Sequence, residues 1–337
     1  MLEKLKNSLK IGSSSKSFML PRIMLAPLSG VSSLPFRKLN REAGCKFAFL
    51  EMISARSLSY SSRRTLEMLS TEKSDQPLGV QLLGDDSYDI LKALEKLRDF
   101  PYGILDLNAA CPRRKITSNG KGAALLKSPK KLQKLLSNMV KEANLPVTVK
   151  LRLGWDSAKN IVNIAKYAQD AGIAGVCLHG RTREQGYRDS IDYLSIEKVK
   201  KALSIPVIAS GDIFSASKAK EMFDQTNCDA IIVARGALGN PWIFKEIEEF
   251  LTKGKVVARP TIKEVAKMMK KHLDLSIGFY GERIGTVEFR KFYIWYTRGF
   301  LKTKTLRTST HQAKSRLEMF KLIKDFSAIA KSPISLA

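Results

Sequence analysis

The run Asp106-Leu-Asn-Ala-Ala-Cys-Pro-Arg-Arg-Lys115 concentrates residue types that do chemistry. Cys111 supplies a thiol, Pro112 stiffens the chain beside it, and Arg113, Arg114 and Lys115 follow as three successive cations. A thiol held in this way is placed for work on an anionic polymer. The same ten residues also fit a half-buried structural cysteine beside a solvated basic loop. The elements that position them must separate the two.

Tyr102 to Leu107 is an apolar run that reads as a buried strand, so Cys111 falls on the loop where that strand ends. Comparable runs occur at Ile23-Leu28, Phe47-Met52, Leu78-Gly84, Pro146-Leu153, Gly175-His179, Pro206-Ala209 and Ala230-Ala234. Between them, Leu91–Leu97, Pro129–Glu142, Lys159–Ala171, Ile196–Leu203 and Ala216–Phe223 carry apolar residues at helical spacing. Strands and helices alternating in this way predict a (β/α)8 TIM barrel rather than a doubly wound sheet. In such barrels the carboxyl ends of the strands converge on one pocket. Those ends supply Pro27-Leu-Ser-Gly30, Glu51-Met52, Gln81, Asn108 with Cys111, Lys150 with Arg152, His179 with Arg181, Ser210-Gly-Asp212 and Arg235-Gly236. Each alone fits a satisfied strand-end residue; together they predict a site.

Period two points Lys150 and Arg152 the same way, toward the barrel mouth. With His179 and Arg181 they would make a strongly cationic pocket, suited to an electron-rich anionic ring or to nucleic-acid phosphate. The glycine turns at Ser210-Gly-Asp-Ile213 and Arg235-Gly-Ala237 leave backbone N–H groups open beside the Arg235 charge, which predicts a phosphorylated ligand. No G-x-G-x-x-G fingerprint occurs, so a nicotinamide nucleotide would visit rather than stay bound.

The chain has 337 residues, with 58 Lys and Arg against 32 Asp and Glu, a net charge of +26. That excess favours a polyanionic partner through phosphate contacts and counterion release. Cys45, Cys111, Cys177 and Cys228 show no C-x-x-C pairing, which argues against zinc and against a disulfide framework; no metal site is predicted. Residues 1–18, rich in Lys and Ser, read as a basic N-terminal tail without an apolar signal core. No apolar run reaches the ~18 residues that a membrane helix needs. The expected placement is the reducing cytoplasm.

After the barrel, assigned to residues 19–250, a linker at 251–260 is marked by Gly254 and Pro260. Residues 261–337 then read as an all-α domain, with helices at Ile262–Tyr280, Val287–Phe300 and His311–Ile329. From residue 255 onward there are 18 Lys and Arg against 6 Asp and Glu, a net +12, interleaved with aromatics from Phe279 to Phe300. The cations suit RNA phosphates, while most of the aromatics are needed for the small domain's own core.

These motifs resemble, in family order, those of the tRNA-dihydrouridine synthases, flavoproteins that reduce uridine in tRNA. The matching residues are Ala26-Pro-Leu-Ser-Gly-Val-Ser32 with Pro35-Phe-Arg37, Glu51-Met52, Gln81, and Asn108-Ala-Ala-Cys-Pro112 with Lys115. They continue through Val149-Lys-Leu-Arg-Leu-Gly-Trp155, His179-Gly-Arg-Thr182, Ser210-Gly-Asp-Ile213, and Ala234-Arg-Gly-Ala237 with Asn240-Pro-Trp242. Gly122-Ala-Ala-Leu-Leu126 and the Pro-Trp-Ile-Phe244 segment are most similar to the bacterial B-type branch.

The resemblance implies FMN contacted by Gln81, Lys150 and His179, with Pro27, Leu28 and Ser29 packed on the ring. Ser210, Gly211, Asp212, Arg235 and Gly236 would surround its phosphate. Asn108, Lys115, Arg152 and Arg181 would meet the RNA substrate, and Cys111 would be the general acid, protonating uracil C5 as hydride passes from flavin N5 to C6. It further implies NADPH as a transient reductant and tRNA as partner, with no stable protein partner. Ala110 departs from the family's usual Gly, and Ser210 from its usual Asn. Two alternatives are a flavin-dependent reductase of free pyrimidines and an RNA-binding protein on a non-catalytic barrel. Deleting residues 258–337 is expected to weaken tRNA binding while leaving flavin content nearly intact.

Overall fold

The computed structural model describes residues 8–13 and 15–329. Residues 1–7 and 14 of the predicted tail, and 330–337 of the predicted helical domain, lie outside the described residues. Eight strands close a parallel barrel: β3 (Ile23–Leu25), β4 (Ala48–Ser54), β5 (Leu78–Leu83), β6 (Tyr102–Ala109), β7 (Val147–Arg152), β8 (Gly175–His179), β9 (Val207–Ser210) and β10 (Ala230–Val233). They pair in the order β10-β3-β4-β5-β6-β7-β8-β9, as the alternating pattern predicts. Every residue of β5 and β6 is buried, because a parallel barrel is covered on both faces. Two boundaries differ from expectation in ways that matter for the site. β6 runs on to Ala109, which puts Asn108 within the strand, and β3 stops at Leu25, which leaves Pro27–Gly30 as a loop.

The predicted basic tail requires correction. Leu9–Gly12 (β1) and Ser17–Leu20 (β2) pair antiparallel, with Leu9 opposite Leu20 and Gly12 opposite Ser17. Ile11, Phe18 and Leu20 close the barrel floor against Met24, Phe47, Phe49 and Ile104. Gly103 permits that approach, since a Cβ there would lie 2.2 Å from the Phe18 ring. Burial of such side chains contributes roughly 2 kcal/mol each, enough to order a short polar segment that composition alone reads as a tail.

The barrel's outer layer includes α1 (Leu34–Glu42), α2 (Ser87–Leu97), α3 (Pro129–Glu142), α4 (Ile161–Asp170), α5 (Tyr193–Ala202), α6 (Ala216–Thr226) and α7 (Ile243–Lys253). α7 takes up the first three residues of the predicted linker and ends at Gly254, whose φ of +67° terminates the helix. Thr261 and Glu264 then form a capping box that starts α8 (Ile262–Tyr280). α9 (Glu282–Tyr296), α10 (Lys304–Ser309) and α11 (Arg316–Ile329) complete the helical segment. Of the tail aromatics, Phe289, Phe292, Tyr293 and Tyr296 are buried, as the small domain's core requires.

That core does not stop at the barrel. Phe36 of α1 stacks on Phe292 at 5.5 Å, and Met269, Leu273 and Phe289 belong to the same apolar cluster as the barrel's outer layer. Among the described residues, no helix is long and apolar enough to cross a membrane.

Candidate active site

At the carboxyl ends of the strands the structure opens a cavity of about 360 Å³. Strand register assembles it: Gln81 lies beside Asp106, Asn108 beside Lys150, Arg152 beside His179, and His179 beside Ser210. Pro27, Leu28 and Ser29 line one side; Asn108, Cys111 and Lys115 come from the β6 end; Lys150, Arg152 and His179 come from β7 and β8. Ser210, Gly211, Asp212, Arg235 and Gly236 complete the wall. Cys111 therefore shares one cavity with Lys150 and His179.

The cysteine loop is tightly determined. The N–H groups of Ala110 and Cys111 donate to Asn108 Oδ1 at 3.1 and 2.9 Å. The Ala110 carbonyl accepts from Arg152 Nε at 2.8 Å. Gly122 lies directly against the cysteine, where its φ of +60° and a Cβ position 2.8 Å from the Cys111 carbonyl oxygen leave room only for glycine. Ala110 is buried and has no positive φ, so the departure from Gly is accommodated in an ordinary backbone conformation.

Ser210, the second departure, holds two partners at once. Its hydroxyl lies 3.2 Å from Lys150 Nζ and 3.1 Å from His179 Nδ1. An ammonium only donates, so the serine oxygen accepts from Lys150, and its second lone pair and its own proton let it meet either tautomer of the His179 ring at Nδ1. Nε2 is buried without a partner among the described residues. Burial first, and then the charges of Arg152, Lys150, Arg181 and Arg235, hold His179 well below its ordinary pKa, so the ring is neutral.

At the far end, Asp212 accepts from both Arg181 and Arg235. Burial raises the Asp212 pKa, but the hydrogen bond from Arg181 and the charges of both guanidinium groups outweigh it and bring it below the usual carboxylate range. A Cβ on Gly236 would lie 1.9 Å from the Ile213 carbonyl oxygen, so the two glycine turns can meet only with glycine there. Arg235 remains half-exposed, its guanidinium flanked by the Tyr187 and Phe214 rings at 4.6 and 5.4 Å.

Three of the predicted site residues are engaged by the protein itself. Arg181 does not line the cavity: it is 2 % exposed and committed to Asp212 and the Asp189 carbonyl. Gln81 does not line it either; fully buried, it donates to Asp106 at 2.7 Å and accepts from Asn108 at 2.7 Å. Arg152 reaches the wall, but its guanidinium donates to the carbonyls of Ala110, Thr182 and Gly186, each at 2.8 Å. Strand-end polarity marks all three correctly as near the mouth, but it cannot show that protein groups already engage them.

Tyr187 was missed. It lies beyond the strand end in the loop after His179-Gly-Arg-Thr182, and a lone aromatic in a polar loop, Glu184-Gln-Gly-Tyr187, was the available signal. The family-like Arg37 has a supporting place: it pairs with buried Asp75 and donates to the Ser32 carbonyl at 2.6 Å, anchoring the Pro27–Ser32 loop. Farther off, Lys263, Lys267 and Lys270 of α8 meet Lys324 of α11 along a groove floored by Ala266, Ser327 and Ala328.

The family model described as Dihydrouridine synthase (Dus) matches residues 24–331. The chain is 34% identical over 320 residues to a tRNA-dihydrouridine synthase B of Xanthomonas axonopodis pv. citri, covering 94% of this chain and 96% of the relative. It is 37% identical over 276 residues to one of Pseudomonas aeruginosa, covering 82% and 83%. A probable tRNA-dihydrouridine synthase of Rickettsia prowazekii is 35% identical over 306 residues, covering 90% and 94%. Among solved structures, an old yellow enzyme homologue from Zymomonas mobilis superposes with a TM-score of 0.53 at 13% identity, over 77% of this chain and 96% of that one. Histamine dehydrogenase from Rhizobium sp. 4-9 gives 0.56 at 13% identity, over 81% and 51%. These last two likenesses are of fold.

Proposed function

The chain belongs to the dihydrouridine synthase family, and from that premise we propose that it reduces uridine in tRNA to 5,6-dihydrouridine with FMN as cofactor and NADPH as transient reductant. The observation that carries the proposal is one cavity lined by a half-exposed thiol, Cys111, together with His179, whose Nε2 is unpartnered among the described residues, and the ammonium of Lys150.

The residues present fit FMN. Among the described residues Lys150 forms no ion pair, and the buried Nε2 of His179 lacks a hydrogen-bond partner that the polar edge of a flavin would supply. The Arg235-Gly236 turn and Gly211 offer the phosphate a half-exposed guanidinium and unobstructed backbone. Pro27, Leu28 and Ser29 form the wall on which the ring would pack. When bound, the reduced flavin supplies hydride to uracil C6. Cys111, whose backbone is fixed in the mouth by the clamped Ala110–Cys111 peptide, would donate its thiol proton to C5. Asn108 and Lys115 border the space for the base, and Arg152 serves it by fixing the loops on either side. Extruding a uridine from folded RNA costs a few kcal/mol, which contacts elsewhere must offset. The lysine groove between α8 and α11 supports that role for the helical segment.

The test is Cys111→Ala. The variant should keep its flavin and its NADPH oxidation while dihydrouridine, counted by mass spectrometry as a gain of two mass units, falls ~100-fold or more. Full product formation would remove Cys111 from the acid role. Activity on free uracil without RNA would favour a pyrimidine reductase instead.

A further inference from the structure

We propose that Asp106 is a positioning residue that sets the orientation of the Cys111 loop through the side chains of Gln81 and Asn108. A carboxylate only accepts hydrogen bonds, so its partners must turn their donors toward it. Asp106 Oδ1 accepts from Thr148 Oγ1 at 2.6 Å, and Oδ2 accepts from Gln81 Nε2 at 2.7 Å. With its nitrogen committed, Gln81 presents Oε1 to Asn108 Nδ2, again at 2.7 Å. That leaves Asn108 Oδ1 for the N–H groups of Ala110 and Cys111. Reversing either amide would set donor against donor or acceptor against acceptor. Asp106 is 2 % exposed and Gln81 0 %, so water is poorly placed to repair the mismatch.

The strands build the chain of contacts. Gln81 is the registered neighbour of Asp106 across β5 and β6, and Asn108, two residues farther along β6, points to the same side. The output is one peptide unit. The Cys111 N–H and the Ala110 carbonyl belong to the same amide, and Asn108 holds the first while Arg152 holds the second. Fixing that plane fixes where the cysteine Cβ leaves the backbone. Burial pushes the Asp106 carboxyl up to about 6, against the hydrogen bonds from Thr148 and Gln81 and the charge of Lys150. A carboxylate kept at such an unfavourable depth is consistent with a role that an apolar residue could not fill.

The inference rests on Cys111 acting as the acid, so the test has one readout that does not depend on it. In full-length, flavin-loaded protein, hydrogen exchange at the Ala110 and Cys111 amides should rise in Gln81→Leu and Asp106→Leu while the other barrel strands keep their protection. The kcat for tRNA reduction should fall ~100-fold, as expected for a misplaced reacting group, with KM for tRNA within about twofold of the parent. Asp106→Asn should restore both, because an asparagine can offer Oδ1 to Gln81 and its amide to Thr148. Unchanged protection in Gln81→Leu would overturn the proposal, as would an Asp106→Asn variant as slow as Asp106→Leu. If Asp106→Leu does not fold, Gln81→Leu and Asp106→Asn decide the matter. A normal kcat beside lost protection would instead count against Cys111 as the acid.

Discussion

His272 joins the helical segment to the barrel without any polar compensation for a positive charge. Fully buried on α8, its ring lies 4.2 Å from Phe292, 5.4 Å from Phe289 and 6.1 Å from Phe36 of the barrel. Nδ1 meets the Tyr296 hydroxyl at 3.3 Å, and Nε2 has no partner among the described residues. Burial, and secondarily the charge of Lys291, lower its pKa from 6.5 to about 3. The folded state therefore requires the neutral ring, whereas the unfolded chain accepts a proton near pH 6.5. The associated stability is fully present above pH 6.5 and is lost progressively as the pH falls toward 3. At pH 5 the unfolded state is favoured by about 1.5 pH units of proton binding, and at 1.36 kcal/mol per unit the loss is about 2 kcal/mol. Denaturant unfolding at pH 8 and pH 5, on the parent and on His272→Phe, measures it. The difference of differences cancels the variant's pH-independent costs and the carboxylates common to both proteins. We expect His272→Phe to lose about 2 kcal/mol less than the parent across that interval. An equal acid loss in both proteins would show that the ring is not the group responsible.

Two further outcomes follow from the geometry. Gly122→Ala places a methyl 2.8 Å from the Cys111 carbonyl oxygen at a φ of +60°; product formation should fall at least ~10-fold and stability by about 1 kcal/mol, with flavin content unchanged, and normal turnover would show that the loop can yield. Replacing Lys263, Lys267 and Lys324 by Ala should raise KM for tRNA without changing kcat at saturation, and should flatten the salt dependence of binding by about one unit per lost phosphate contact; an unchanged slope would place the RNA elsewhere. This substitution is a cleaner probe than the deletion of residues 258–337 suggested by sequence. Phe36, Phe292 and Met269 share one core, so truncation would strip an apolar face of the barrel itself.

Strand periodicity and strand-end chemistry located the barrel and most of its mouth, because both depend on residues close in sequence. Gly175–His179 and Pro129–Glu142 have the expected limits, and Pro27, Cys111, Lys150, His179 and Arg235 line the cavity. What failed depends on contacts between distant segments. Arg181 reads as a free cation until Asp212, brought alongside through strand register, takes it; Gln81 reads as a ligand until Asp106 and Asn108 occupy both ends of its amide. The β1–β2 hairpin escaped for a related reason: its order comes from Phe18 packing above Gly103, a partner 85 positions away by residue number, while the Lys and Ser around its short apolar strands dominate the composition of the segment. Tyr187 sits beyond the strand end, where neither period nor register constrains a side chain.

The electrostatics of the mouth narrow the choice of proton donor. Lys150, Arg152 and Arg235 line the cavity with Asp212 as a carboxylate partner at one end, and that carboxylate already serves Arg181 and Arg235. The surplus suits an anionic ligand, and it also acts on the neighbouring acids and bases. Burial first, and the surplus second, hold His179 unprotonated at neutral pH, and the hydrogen bond from Arg181 with the charges of both arginines holds Asp212 ionised. The Lys150 ammonium is engaged by Ser210 and Cys177. Cys111 is the lining group with a transferable proton whose backbone is clamped on both sides of a single peptide, by Asn108 and by Arg152. Burial of His179 together with the positive field thus leaves neither His179 nor Asp212 a proton to give at neutral pH, and the same Arg152 that contributes to the field fixes the loop that carries the thiol.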